Sequence, residues 1–333
     1  MGNLAPQNLS ARSGIISFFF TRSYLGLILV LAILPFILPY EAIATQILIF
    51  GLFAMGYNIL LGYTGLLSFG HAAFFGLGTY GAGLSLVYLK VGLFTGLLIG
   101  VAAAVLGAMA VGFLCLKRRG IYFAMLTLAF GQLFYFLALV VFDNYTGGDN
   151  GLRDVPVPPI SLGGLEFSVI KSPLSFYYFA FIFCVLSILV MHRILNSPFG
   201  TVLQSIRENE KRSRSCGYNT NRVKWVAFLF SAFFSGLAGS LHAVYYQLAA
   251  LNTLYWTNSG AAVMMTLLGG MGTFIGPFVG AGVFLLIEDV ISVYTVSWQL
   301  FVGGIFMLFV LFFPLGIWGT LQEKVRLWRL RKR

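Results

Sequence analysis

Charge is what this sequence lacks most. Only 9% of its 333 residues are charged and 10 are acidic, while 59% are hydrophobic. A soluble domain carries roughly a quarter charged residues, so this chain cannot cover itself with a water-compatible surface. Cysteine and histidine are also scarce. Cys115, Cys184 and Cys216 show no pairing or metal spacing, and His71, His192 and His242 are scattered. No disulfide framework, zinc site or haem site is indicated, and the expected metal-ligand set is empty. Catalytic signatures are missing too: no H-E-x-x-H and no G-x-S-x-G occurs. No Gly-Lys dipeptide occurs either, which excludes a Walker A phosphate loop. Any energy from ATP therefore comes from another chain.

What is present is long apolar sequence. Unbroken runs cover approximately 24–40, 42–61, 66–89, 91–116, 121–142, 175–191, 225–248, 259–290 and 298–319. These lengths suit membrane helices, and they are too long and too little alternating for a membrane β-barrel. The expected class is all-α, a polytopic helical membrane protein whose bilayer supplies the missing polar cover. Arg12 and Arg22 precede the first run, and Ala42, Ile43 and Ala44 resemble a signal-peptidase site. Because many spans follow, the run reads as a retained first helix.

The net charge of +11 does not point to nucleic acid, because the basic residues flank apolar runs. With the N-terminus inside, only Lys90, Arg153 and Lys171 of the 21 lysines and arginines fall outside. Keeping the basic tail inside requires that 259–290 form two short spans or a re-entrant hairpin, broken at LGGMGTFIGP (268–277). Glycine and proline there interrupt a helix. The expected organisation is a cytoplasmic segment 1–23, a permease domain 24–319 of about ten spans, and a basic cytoplasmic tail 320–333. An outer loop, 143–174, and an inner loop, 192–224, punctuate it.

Small residues recur every fourth position at Gly92, Gly96, Gly100, Ala104, Ala108 and Gly112, and again at Ala227, Ser231, Ser235, Gly239 and Ala243. Gly272, Gly276 and Gly280 repeat the pattern. Such stripes let helix backbones approach closely where lipid gives no hydrophobic drive. Two Gly-rich segments, 62–83 and 267–282, read as interrupted helices beside a transport path. The candidate path residues are Asn58, Ser68, Gly70, His71, Gly269, Gly270 and Gly272. For Asn58, Ser68 and His71 two readings stand open, hydrogen bonding inside the bundle or contact with a passing solute. A charge at mid-membrane costs about 2.5–3.5 kcal/mol, and only Glu288 and Asp289 come near such a position. They fall at a span end and read as an outer interface pair or as a relay, and the scarcity of other mid-membrane carboxylates weighs against proton or sodium coupling.

The outer loop holds four prolines and does not match a calcium loop. It is a docking surface for an external partner, through Gly147, Gly148, Asp149 and Arg153, or a plain connector. The inner loop is more informative. Ser197 stands at an N-cap position and Pro198 at the first helical position of an expected helix over 198–211, about 20 Å long. Phe199, Val202, Leu203 and Ile206 share one face, and Glu208 precedes Arg212 by four on the charged face. Too short and too charged to span, the helix suits docking to a soluble partner better than lipid binding.

Together these motifs resemble the permease subunits of bacterial ABC importers for branched-chain amino acids, of the LivM type. The resemblance rests on GYNILLGYTGLLSFGHAAFFGLGTYGAG (56–83), TGGDNGL (146–152), SPFGTVLQSIRENE (197–210), KWVAFLFSAFFSGLAGSL (224–241) and LLGGMGTFIGPFVGAG (267–282). It implies a pore shared with a second, homologous permease, two cytoplasmic ATPase subunits that hold ATP and magnesium, and a periplasmic binding protein. It places the chain in the bacterial inner membrane. It also implies that 197–210 is the coupling helix to an ATPase, with Ser197, Pro198, Phe199, Gly200, Val202, Leu203, Ile206, Arg207, Glu208 and Asn209 in that role. The segment 211–219 departs, with Ser213 and Cys216 where relatives carry small or aliphatic residues. The implied solutes are leucine, isoleucine and valine, with urea or short amides as the alternative within the family. A self-sufficient channel or ion-coupled carrier is the competing class, and a membrane-embedded enzyme finds no nucleophile or metal cluster.

Overall fold

A computed structural model describes residues 24–38, 40–162, 165–167 and 172–331. The expectations for 1–23 lie outside the described residues. Among the described residues the regular structure is helical apart from a two-strand ribbon in the 143–174 loop, where Ile160–Leu162 pairs antiparallel with Leu165–Phe167.

The helices are α1 (Tyr24–Ile37) and α2 (Glu41–Asn58), then α3 (His71–Tyr88), α4 (Leu93–Cys115) and α5 (Ile121–Phe136). A single turn, α6 (Asp143–Thr146), opens a long loop, which α7 (Pro173–Leu195) closes. The amphipathic helix α8 (Pro198–Ser215) precedes α9 (Thr220–Tyr246). Then come α10 (Trp256–Gly269), α11 (Gly276–Tyr294), α12 (Trp298–Phe312) and α13 (Gly316–Arg331). Among the described residues seven helical stretches are long and apolar enough to cross a membrane. That is fewer than the ten-span count, because α1 and α10 are short and α3 is diluted by glycine. The expected 259–290 segment is two helices, with the break at 270–275.

Local chemistry sets these boundaries. Ser172 caps α7 by accepting the Ser175 N–H at 3.2 Å, with Pro173 at the first helical position. Asn219 caps α9 by accepting from the Arg222 N–H at 3.2 Å. The end of α2 widens into a π-helical turn, Ile59–Thr64, where the Thr64 hydroxyl donates to the Ile59 carbonyl at 2.9 Å. Gly65, at φ 77°, then turns the chain out of the helix, a left-handed conformation that a side chain would oppose. The apolar run 66–89 is therefore not one span, since 65–70 is not helical and α3 begins only at His71.

The centre is α3 packed on α4 and α9, with α2 beside α9 and against α11. The small-residue stripes lie at these contacts. A Cβ on Gly78 would run into the backbone of Gly236, and one on Gly239 into the Phe75 carbonyl. Ser240 Oγ on α9 donates to Gly78 O on α3 at 3.2 Å. Apolar side chains on α4, α7 and α12, such as Leu98, Leu186 and Leu311, face outward. That is the arrangement a lipid-facing surface requires.

Candidate functional site

Helix α8 has two faces. Val202, Leu203 and Ile206 are buried against the bundle, and Phe199 packs edge-on against Phe230 of α9, 6.1 Å between centroids. Gly200 presses against the Leu195 carbonyl. Pro198, Arg207, Glu208 and Asn209 are exposed. The apolar face is thus already covered by this chain, and the polar face is free.

Three expectations for this helix need correction. Ser197 occupies the N-cap position but makes no side-chain cap; its hydroxyl donates to the Ile194 carbonyl at 2.6 Å, satisfying the end of α7 instead. The helix does not stop at 211. It continues to Ser215 across a kink at Asn209, whose φ −159° and ψ 97° are extended. The Asn209 side chain accepts the Arg212 N–H at 3.1 Å and restarts the helix beyond the kink. The kink also rotates Glu208 away from the helical i, i+4 relation to Arg212. Every ion pair among the described residues ends on Glu210: Lys224 at 2.8 Å, Arg119 at 3.2 Å and Arg214 at 3.6 Å. Lys224 is 1% exposed, so its charge is taken out of water and depends on Glu210 to offset that cost. Burial alone raises the Glu210 carboxyl, but Lys224, Thr220 and Arg119 together outweigh it and hold the group below the usual carboxylate value.

Arg207 is the contact between α8 and the first glycine-rich break. Its guanidinium donates to the Gly62 carbonyl, and its stem lies over Gly65. On the other side of the same turn, Asn58 binds the second break. Its Nδ2 donates to the Thr273 carbonyl at 2.9 Å and its Oδ1 accepts the Gly272 N–H at 3.0 Å. Gly272 stands at φ 75° and comes close to both Arg207 and Gly62. One arginine and one asparagine thus tie α8, the end of α2 and the α10–α11 break into a single cluster. Gly269 packs on Gly276, and Gly270 lies against the start of α13.

His71 sits at the start of α3 with no exposed surface. Nδ1 is 2.9 Å from Ser68 Oγ and Nε2 is 2.7 Å from Ser231 Oγ. Ser231 Oγ donates onward to the Gly56 carbonyl at 2.7 Å, so it accepts from His71 and Nε2 carries the proton. Tyr57 OH donates to the Ser68 carbonyl at 3.0 Å, closing a network that joins α2, α3 and α9. Gly70 is fitted against the Thr127 carbonyl of α5.

An open cavity of about 780 Å³ lies elsewhere, among α2, α9, α10, α11 and α12. Its polar lining includes Gln46, Tyr246, Asn252, Asn258, Glu288 and Asp289. None of the seven expected path residues lines it. Sequence reading noted Glu288 and Asp289 only as a span end, because the cavity is assembled from segments far apart in the chain. In the 143–174 loop, Gly147 and Gly148 form a tight turn that sets Leu152 in an antiparallel bridge with Ala249, at 3.0 and 2.9 Å. Asp149 and Arg153 are exposed at this turn.

With this geometry in place, comparison with known proteins is informative. A family model described as the permease component of the branched-chain amino acid transport system matches residues 40–311. The chain belongs to that permease family. It is 30% identical over 330 residues to the high-affinity branched-chain amino acid transport system permease protein LivM of Salmonella typhimurium, covering 92% of this chain and 77% of that one. The LivM protein of Escherichia coli is 29% identical over 329 residues, with the same coverage. The permease protein LivH of Escherichia coli is 25% identical over 290 residues, covering 83% of this chain and 93% of LivH. No solved structure matches significantly. The permease family and the seven apolar helices make this a multi-pass membrane transport subunit rather than an enzyme.

Proposed function

We propose that the chain is one permease of an ATP-driven importer that moves branched-chain amino acids inward across the bacterial inner membrane by alternating access. The similarity to both LivM and LivH supports a pairing with a second, homologous permease. In this reading both termini are cytoplasmic, the outer loop with Gly147, Gly148, Asp149 and Arg153 meets a periplasmic binding protein, and two ATPase subunits supply ATP and magnesium.

The observation that carries the reading is α8. Its apolar face is buried in its own chain, its polar face is free, and Arg207 and Asn58 connect it to both glycine-rich breaks. A push on the exposed face by an ATPase is transmitted to the places where helices are already interrupted, and hinges occupy such places. The buried His71 network then holds α2, α3 and α9 as one body against which the breaks move.

The test is reconstitution of the chain with its second permease, ATPases and binding protein in proteoliposomes. Leucine uptake should require ATP, stop when the ATPase catalytic carboxylate is removed, and survive collapse of the proton gradient. Uptake by liposomes holding this chain alone would overturn the reading. Preference for urea over leucine would overturn its substrate class.

A further inference from the structure

The cavity among α2, α9, α10, α11 and α12 carries chemistry that the role of α8 does not use. Glu288 is half-buried in its wall, and neither Glu288 nor Asp289 has a cationic partner among the described residues. The N-terminal turn of α10 lines the same cavity through Trp256, Thr257 and Asn258, and no side chain caps it. Uncapped N–H groups and the helix dipole make such a terminus attractive to a carboxylate. Because α10 and α11 pack as a hairpin, this positive end and Glu288 face one space. His242 also lines it, with a buried Nδ1 that lacks a hydrogen-bond partner. One part of the remaining wall is apolar, formed by Phe50, Phe75, Met264 and Phe284.

An unpaired carboxylate, an uncapped helix N-terminus and an apolar wall in one cavity match the three parts of an aliphatic α-amino acid. We propose that this cavity is a solute site within the permease itself, where Glu288 faces the ammonium group, the start of α10 faces the carboxylate, and the apolar wall takes the side chain. The proposal rests on the amino-acid importer reading and narrows it. Urea and short amides carry no ammonium group and gain nothing from Glu288.

Binding of radiolabelled L-leucine to the purified permease–ATPase complex, without binding protein, tests this. The wild-type complex should bind leucine saturably, with competition by valine and isoleucine but not by urea or 4-methylpentanamide. Glu288→Gln should weaken binding roughly tenfold to a hundredfold, the range of one lost charge-assisted hydrogen bond, and Glu288→Asp should weaken it less. Met264→Trp, which fills the apolar wall, should lose leucine while keeping alanine, and this variant does not depend on the charge. Leucine binding unchanged within twofold in Glu288→Gln, or absent from a wild-type complex that still imports leucine, would overturn the site. Those outcomes leave the importer reading standing. That reading fails separately if the complete wild-type system imports no branched-chain amino acid.

Discussion

Arg207, Asn58 and His71 show how single side chains can hold an interrupted membrane helix in shape. Breaking a helix inside a bundle frees backbone N–H and carbonyl groups that lipid cannot satisfy. Here the Gly62 carbonyl is satisfied by Arg207, and the Gly272 N–H and Thr273 carbonyl by Asn58. Replacing Asn58 with alanine strands both groups of the second break. The expected loss is about 1–3 kcal/mol, read as a lower melting temperature of the purified protein in detergent. Arg207→Ala removes the bond from α8 to the Gly62 carbonyl of the first break while leaving the buried face of α8 intact. Leucine uptake in proteoliposomes should fall at least tenfold for the same rate of ATP hydrolysis, since roughly 1.5–3 kcal/mol of charge-assisted bonding is lost from the link. Equal falls in uptake and hydrolysis would show that Arg207 serves docking alone. The small-residue spacing announced tight packing, but the bond from His71 to Ser231 spans 160 positions. No local pattern encodes such a pair.

At the scale of elements, α8 and its neighbours behave as an ionic joint. Glu210 gathers Lys224 of α9, Arg119 of the α4–α5 turn and Arg214 of its own helix. Its carboxyl is held below the usual value, so its ion pairs add stability above the ordinary carboxylate range. That stability disappears as pH falls from about 4.5 through the lower value of the folded protein. The melting temperature of the wild type should therefore drop between pH 6 and about 3.5 by more than that of Glu210→Gln. At neutral pH, Glu210→Gln should itself cost about 3 kcal/mol, because Lys224 is left buried without its partner. The amphipathic pattern of α8 was legible from residue spacing. Its kink was not, because neither glycine nor proline stands beside Asn209 in the stretch RENEK to announce it. Nor was Glu210 distinguishable from Glu208 in the stretch RENE, since both sit among basic residues and only the fold selects one.

The whole molecule depends on backbones in near contact at its centre. Gly239→Ala would drive a methyl group into the Phe75 carbonyl, where neither helix can give way. The expected cost is roughly 3 kcal/mol, visible as reduced yield of monodisperse protein on size exclusion. Orientation has a built-in probe, because Cys216 after α8 is exposed while Cys115 and Cys184 are buried. In the proposed orientation a membrane-impermeant maleimide should label Cys216 in inside-out vesicles and not in intact spheroplasts. Labelling from the outside would reverse the topology.

Composition and residue spacing determined that this chain is helical, lives in a bilayer, packs through small residues, breaks near two glycine clusters and carries an amphipathic helix between two spans. Those properties are local: hydropathy, periodicity and backbone strain act within a few turns of sequence. The tertiary structure alone decided that the two glycine-rich breaks share a clamp, that Asn58 and His71 are bonded to distant helices, and that Glu288 faces a cavity. Each depends on groups contributed by helices distant in sequence, and their meeting is set by how closely glycine lets those helices approach.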